Sequence, residues 1–186
     1  KPSSAASDVY KRQIRVREIH FFEAHTAHID EQDATRQINE DLEIVRNLMN
    51  YLNLPVLVTK RPVWGTFPGA WYTIAIDAIM PDGRTLQVAS VHHYRDQWAK
   101  AFDVKYESES GEQKHVHQTT YGMSERLLGA TVATHGDNKG LIMPPSIAPI
   151  QVVVIPILSK ERSEEIVSAA EEIVKTLKSE GIRAKL

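Results

Sequence analysis

Residues 71–93, "WYTIAIDAIM-PDG-RTLQVASVHH", leave little freedom in choosing an architecture. Two runs rich in apolar and β-branched residues flank a Pro-Asp-Gly turn, which is a hairpin signature. A hairpin commits the chain to an antiparallel sheet. Further strands are predicted at 14–25 ("IRVREIHFFEAH"), 55–61 ("PVLVTKR") and 115–122 ("HVHQTTYG"), with Gly122 as the break. Residues 30–53 read as a helix. Ala34, Ile38, Leu42, Val45, Leu48, Met49 and Leu52 make one apolar face, Asp30 or Asp33 caps the start, and Pro55 closes the segment. "DQWAKAFDVKY" (96–106) holds a short helix, "ESESGEQK" (107–114) is a solvated turn, and 123–134 form another helix. Strands in succession, closed by a helix, give an α+β class.

A proline-rich joint, "LIMPPSIAPIQ" (141–151), opens a second region. The apolar run "IQVVVIPIL" (150–158) predicts a strand buried on both faces. An amphipathic helix over 163–180 follows, through Ile166, Val167, Ala170, Ile173, Val174 and Leu177, with Ser163 as N-cap and Gly181 as the stop. "IRAKL" (182–186) begins another strand. One β-α-β unit of about forty residues rarely buries enough surface to fold alone, so the chain reads as truncated at its C-terminus. Residues 1–13, "KPSSAASDVYKRQ", read as a polar tail foreign to the fold. The expected domains are 14–145 and 146–186, and no internal repeat is visible.

With no cysteine there is no disulfide, thiol chemistry or Cys-based zinc site, which suits a cytosolic protein. A net charge of −2 advertises no global nucleic-acid field. No apolar run spans a membrane, and the first residues lack a signal-peptide core.

Arg126 poses the chemical question. Leu127, Leu128, Gly129, Ala130, Thr131 and Val132 make an apolar helix fit for packing under a sheet, yet an arginine stands at its first turn. A surface arginine is one reading. The other follows from burial: an unpaired charge is costly there, helix N-termini favour anions, and a guanidinium fork suits phosphate. On the first strand, Arg15, Arg17, Ile19, Phe21, Glu23 and His25 share one face. Its mixture of cations, aromatics and carboxylate fits a ligand-binding face or an edge strand with scattered charges. His25/His28 and His92/His93 come without HExxH, so hydrogen bonding is expected and no metal ligands are assigned. "GTFPGA" (65–70) lacks the GxxxxGK[ST] pattern of a phosphate loop.

"FFEAHTAH", "FPGAWYTIAIDAIMPDGRTLQ", "AKAFDVKY", "HVHQTTYGMSERLLG" and "HGDNKGLIMPPSIAPIQVVVIPI" together resemble the prolyl-tRNA synthetases of archaeal and eukaryotic type, over roughly residues 14–186. The resemblance implies part of a class II catalytic core, an antiparallel sheet with ATP bent across it, then the start of an α/β anticodon-binding domain. It implies ATP-dependent activation of L-proline to prolyl-adenylate and transfer to tRNA(Pro), with ATP and Mg2+, in a cytoplasmic homodimer. "GMSER" resembles class II motif 3, which implies that Arg126 meets the γ-phosphate and Ser124 lies near the adenosine. "IRVRE" resembles the strand after the motif 2 loop, which gives Arg15 an ATP contact. Gln87 takes a place at the nucleotide or its magnesium, beside Ser90. The implied catalytic pair is Arg126 and Arg15. The implied proline pocket comprises Phe21, Glu23, His25, Phe67, His92, Thr120 and Gly122.

The sequence also departs from that family. Motif 1, the "RWE" strand of motif 2 and an upstream loop that recognises proline find no counterpart. Losing one charged contact of that kind costs on the order of 3 kcal/mol of transition-state binding, so weak or no activity is expected of this chain. The family's "GTSH" reads "ASVH" (89–92), so Ser90 keeps a hydroxyl in place of threonine. A pocket tryptophan is Phe21, and "LGQNF" reads "YRDQW" (94–98). Two other readings stand beside the synthetase fragment. One is an inactive synthetase-like paralogue that binds nucleotide, amino acid or tRNA. The other is a threonyl or glycyl enzyme of the same subgroup, of which the threonyl enzyme usually needs a zinc-binding cysteine.

Overall fold

The computed structural model describes residue 14 and residues 18–186. Arg15 and Arg17 lie outside the described residues. The chain divides into two compact units at Leu141/Ile142.

The first unit is built on a five-stranded sheet. Its strands are β1 (Phe21–His28), β2 (Val56–Lys60), β3 (Tyr72–Ile79), β4 (Thr85–Arg95) and, after a short hairpin of β5 (Lys105–Glu107) with β6 (Gln113–His115), β7 (His117–Ser124). The order is β1-β7-β4-β3-β2, antiparallel throughout. The hairpin read at 71–93 is β3–β4. Helix α1 (Glu31–Tyr51) starts at Asp30, whose carboxylate accepts the Asp33 N–H at 2.7 Å. It buries Ala34, Ile38, Val45 and Met49, as the spacing predicts. A short helix α2 (Gln97–Phe102) follows β4, and α3 (Arg126–His135) follows β7. Helices α1 and α3 cover one face of the sheet, meeting where His135 Nε2–H donates to the Leu52 carbonyl at 3.0 Å. Ile76, Val88 and Val91 form the centre of that core. Among the described residues no helix is long and apolar enough to cross a membrane.

Several boundaries differ from the sequence reading. The first strand begins at Phe21, not Ile14. Gly122 does not break β7. It pairs with Glu23 on one side and Ser90 on the other, and β7 continues to Ser124. Ladder pairing on both flanks overrides glycine's weak strand preference. The helix therefore starts at Arg126, three residues later than expected.

Asp41 sits on the apolar face of α1 at 2 % exposure, with the Gln37 amide donating at 2.9 Å. Burial raises its pKa above the usual carboxylate range. A carboxylate whose folded pKa is raised favours the folded state below its unfolded pKa and loses that contribution as pH rises through the folded value. Asp41→Asn keeps an acceptor for Gln37 and removes the charge. It should raise the melting temperature at pH 7.5 and narrow that gain at pH 4, read by thermal denaturation at both values.

The second unit, Ile142–Leu186, pairs β8 (Val152–Val153) with β9 (Ala184–Lys185) in parallel, connected through α4 (Ser163–Ser179). The Arg183 guanidinium braces the proline-rich stretch by donating to the carbonyls of Pro145, Ser146 and Ala148. Two expectations fail. The run 150–158 is not a doubly buried strand: only two residues pair, and Ile155 and Ile157 are 76 % and 88 % exposed. Among the described residues of this unit, a single helix supplies too little surface to cover both sides. Ser163 does not cap α4. Its hydroxyl donates back to Ser159 O, and Arg162 occupies the cap position.

Candidate functional site

Register decides which side chains meet, because directly opposed residues share a face of a sheet. Across β1, β7, β4 and β3, one row runs Glu23–Gly122–Ser90–Ala75 and the next runs His25–Thr120–His92–Thr73. Phe21 opposes Ser124 on the same face. This is the face that α1 and α3 leave open. Alternation alone would send Gln87 to the other side from Ser90. A register shift at Ile76/Asp77 adds one residue to β4, so Gln87 opposes Asp77 and returns to the open face. The paired histidines are split: His25 and His92 stand on the open face, while His28 and His93 point under the helices. There His28 Nδ1 bonds Asp33 at 3.0 Å, and His93 Nδ1 accepts the Arg95 N–H at 3.0 Å. No three metal-ligating side chains converge among the described residues.

Two pockets open on this face. The smaller, about 60 Å³, is lined by Phe21, Gln87, Ser90, Gly122, Ser124 and Arg126. Arg126 reaches it from the head of α3, where the Ser124 hydroxyl accepts its backbone N–H at 3.3 Å. Among the described residues its buried Nε has no hydrogen-bond partner and no carboxylate pairs with it. A cation held against neutral donors, with an unused N–H, is a receptor for an anion.

The larger cavity, about 270 Å³, is lined by Glu23, His25, Phe67, Tyr94, Trp98 and Thr120 among others. His25 Nε2–H donates to Glu23 Oε2 at 3.1 Å, and His25 Nδ1 accepts from the Thr120 hydroxyl at 3.1 Å. The chain Thr120–His25–Glu23 fixes the direction of the carboxylate. Thr73 Oγ1 accepts the Phe67 N–H at 3.0 Å and is hydrogen-bonded to His92 Nδ1 at 2.9 Å. The Phe67 ring lies 5.0 Å from His92 and 6.2 Å from Tyr94. Burial pushes the His92 pKa down, outweighing the opposing charge of Glu23, so its imidazole is neutral at neutral pH. Burial holds Tyr94 up as a protonated phenol. An aromatic wall with one oriented carboxylate suits a small ligand that is apolar in body and cationic at one end. A third pocket, about 290 Å³ between α1 and the sheet, is lined mainly by apolar side chains such as Leu42, Val45, Met49 and Ile76, with Arg46 and Asn50 as its polar members.

Phe21 lines the smaller pocket rather than the larger. A Cβ at Gly122 would stand 2.7 Å from Phe21 Cε1 and 3.0 Å from Glu23 Cγ. The glycine therefore lets both side chains lie across β7 at the joint between the pockets. His92 touches the larger cavity through Phe67. Sequence reasoning missed Tyr94 and Trp98. Tyr94 carries a signal, since it stands two residues beyond His92 on the same strand. Trp98 carries none, because it arrives from α2.

A family model described as the tRNA synthetase class II core domain (G, H, P, S and T) matches residues 7–135. The proline–tRNA ligase of Thermococcus kodakarensis is 54 % identical over 171 residues, covering 91 % of this chain and 36 % of that protein. That of Pyrococcus abyssi is 55 % identical over 174 residues, covering 93 % and 36 %. The chain thus spans about a third of the length of these relatives. The solved structure of Giardia lamblia prolyl-tRNA synthetase in complex with prolyl-adenylate superposes with a TM-score of 0.82 at 37 % identity, covering 92 % of this chain and 35 % of that one.

Proposed function

We propose that this chain, which belongs to the class II tRNA synthetase core family for G, H, P, S and T, builds the prolyl-adenylate site of a proline–tRNA ligase. One observation carries the reading. An arginine-headed polar slot and an aromatic cavity with an oriented carboxylate lie on a single sheet face, and Phe21 of the slot and Glu23 of the cavity both pack against Gly122. Prolyl-adenylate has that division, a nucleotide phosphate joined to a small apolar ring with a cationic amine.

Glu23, oriented by His25 and Thr120, accepts the secondary ammonium of proline. Phe67, backed by neutral His92, walls the pyrrolidine, and Phe21 stands at the joint. Arg126 meets the phosphates of ATP, with Ser124, Ser90 and Gln87 as neutral partners and Arg15 as a further ATP contact. The carboxylate oxygen of proline attacks the α-phosphorus, the bond to pyrophosphate breaks, and the terminal ribose hydroxyl of tRNA(Pro) then takes the prolyl group and releases AMP. Little covalent work falls to the protein. It aligns the reactants and stabilises phosphate charge. The slot offers hard neutral oxygens but no carboxylate, which fits Mg2+ carried mainly by the nucleotide with the Gln87 amide oxygen as its protein ligand. Bound there, the metal would neutralise phosphate charge. The reading extends to a cytoplasmic homodimer in which Ile142–Leu186 belongs to the anticodon-reading domain.

Calorimetric titration of the purified chain with non-hydrolysable prolyl-, alanyl- and threonyl-adenylate analogues tests it. Selective binding of the prolyl compound is expected. A folded chain that binds none of them, or all alike, overturns the reading.

A further inference from the structure

The loop that carries Phe67 is held by a residue from another element. Phe67–Pro68–Gly69–Ala70 is a turn in which the Ala70 N–H donates to the Phe67 carbonyl at 2.9 Å. Gly69 has φ +81°, so proline and glycine occupy the two central positions that a type II turn favours. This turn lies flat on the indole of Trp98. A Cβ at Gly69 would come within 2.5 Å of Nε1, 2.6 Å of Cε2 and 2.8 Å of Cζ2. The indole is itself fixed in plane by Phe102, stacked at 5.6 Å and 10°. Another edge of Trp98 lines the larger cavity beside Glu23, Phe67 and Tyr94.

We infer that Trp98 is a positioning residue that clamps the 66–70 loop against α2 and thereby sets the width of the slot for the pyrrolidine ring. The inference rests on the cavity being the proline site. Phe67 is pinned at its own N–H by Thr73, and past the turn the Trp71 N–H donates to the His93 carbonyl at 2.7 Å, so Pro68 and Gly69 are the stretch between two backbone anchors. Between those anchors it is the indole of Trp98 that meets the tip of the turn at Gly69. With Trp98 in place the wall sits at one distance from Glu23, and a five-membered ring fills the gap. Without it Phe67 retreats, and the ring methylenes lose their contact while the ammonium keeps its carboxylate. Prolyl affinity should therefore fall and alanyl affinity should hardly move.

The experiment uses the full chain, Trp98→Ala, Trp98→Phe and Gly69→Ala. Each is titrated with the prolyl and alanyl adenylate analogues and with a non-hydrolysable ATP analogue, and amide exchange is followed at Phe67 and Ala70. Trp98→Ala and Gly69→Ala should lower the prolyl-to-alanyl preference about tenfold, the scale of a lost methylene contact or two. Exchange at the two loop amides should quicken, ATP-analogue affinity should stay within about twofold, and Trp98→Phe should keep most of the preference. Unchanged loop exchange overturns the clamp. So does an intact preference in Trp98→Ala, or an equal loss of all three ligands. A starting chain with no prolyl preference instead overturns the reading of the cavity, so the two failures are told apart by which protein shows them.

Discussion

Arg126→Ala lowers affinity for a non-hydrolysable ATP analogue by about 10- to 100-fold, the worth of one charged hydrogen-bonded contact. The guanidinium heads the small slot with a buried Nε that no atom of the described residues satisfies. In the free protein that unpaired group is a cost. A phosphate group with several acceptor oxygens relieves it. Two results should therefore move in opposite directions: the variant binds nucleotide worse, and it melts no lower, or slightly higher, than the parent. Arg126→Lys keeps the charge but loses the planar fork, so it should recover only part of the affinity. Binding of the ATP analogue by calorimetry, paired with thermal melting, reads both. Loss of stability together with loss of binding would mean that Arg126 is structural and that the slot is not an anion site.

The legible parts of this molecule were those governed by local pattern. The β3–β4 hairpin announces itself through alternation around Pro-Asp-Gly, and α1 through its three- and four-residue apolar steps. Arg126 was conspicuous because a charge is out of place at the head of an apolar helix. What stayed hidden depends on pairing between distant segments. Gly122 looks like a breaker until Glu23 and Ser90 flank it. Gln87 and Ser90 appear to face opposite ways until the extra residue in β4 turns one of them. Asp41 falls within the helical stripe, but only the fold reveals that its carboxylate is buried. Trp98 meets the cavity by way of α2, and no periodicity within one element can indicate that. In the second unit the apolar run at 150–158 suggested burial, but composition does not supply the layer that would cover it. The proposed roles of Phe21, His25 and His92 likewise came from resemblance. The geometry adds a division of labour, with Phe21 at the smaller pocket and the two histidines orienting what lines the larger.

Gly122→Ala should lower affinity for the prolyl-adenylate analogue by about 100-fold, the upper part of the range for a few tenths to one ångström of misplacement in a built site. The argument is steric. The new methyl would lie 2.7 Å from Phe21 Cε1 and 3.0 Å from Glu23 Cγ, inside the distances that real Cβ contacts tolerate. Something must move, and the backbone is held by ladders on both sides, so the two side chains do. Phe21 is 51 % exposed and Glu23 nearly half exposed, so both can swing out at small cost to the fold. Alanine also suits an extended strand at least as well as glycine. The melting temperature should stay close to the parent's while binding collapses, because one displacement disturbs both the carboxylate that takes the amine and the ring at the joint. Phe21→Ala in the same background supplies a check. Removing the ring frees space for the methyl, so the double variant should bind better than the sum of the two single losses predicts, a positive coupling in a double-mutant cycle. Strictly additive losses, measured by the same titration, would sink the claim that Gly122 works by making room for Phe21. The two pockets would then have to be joined by some other contact.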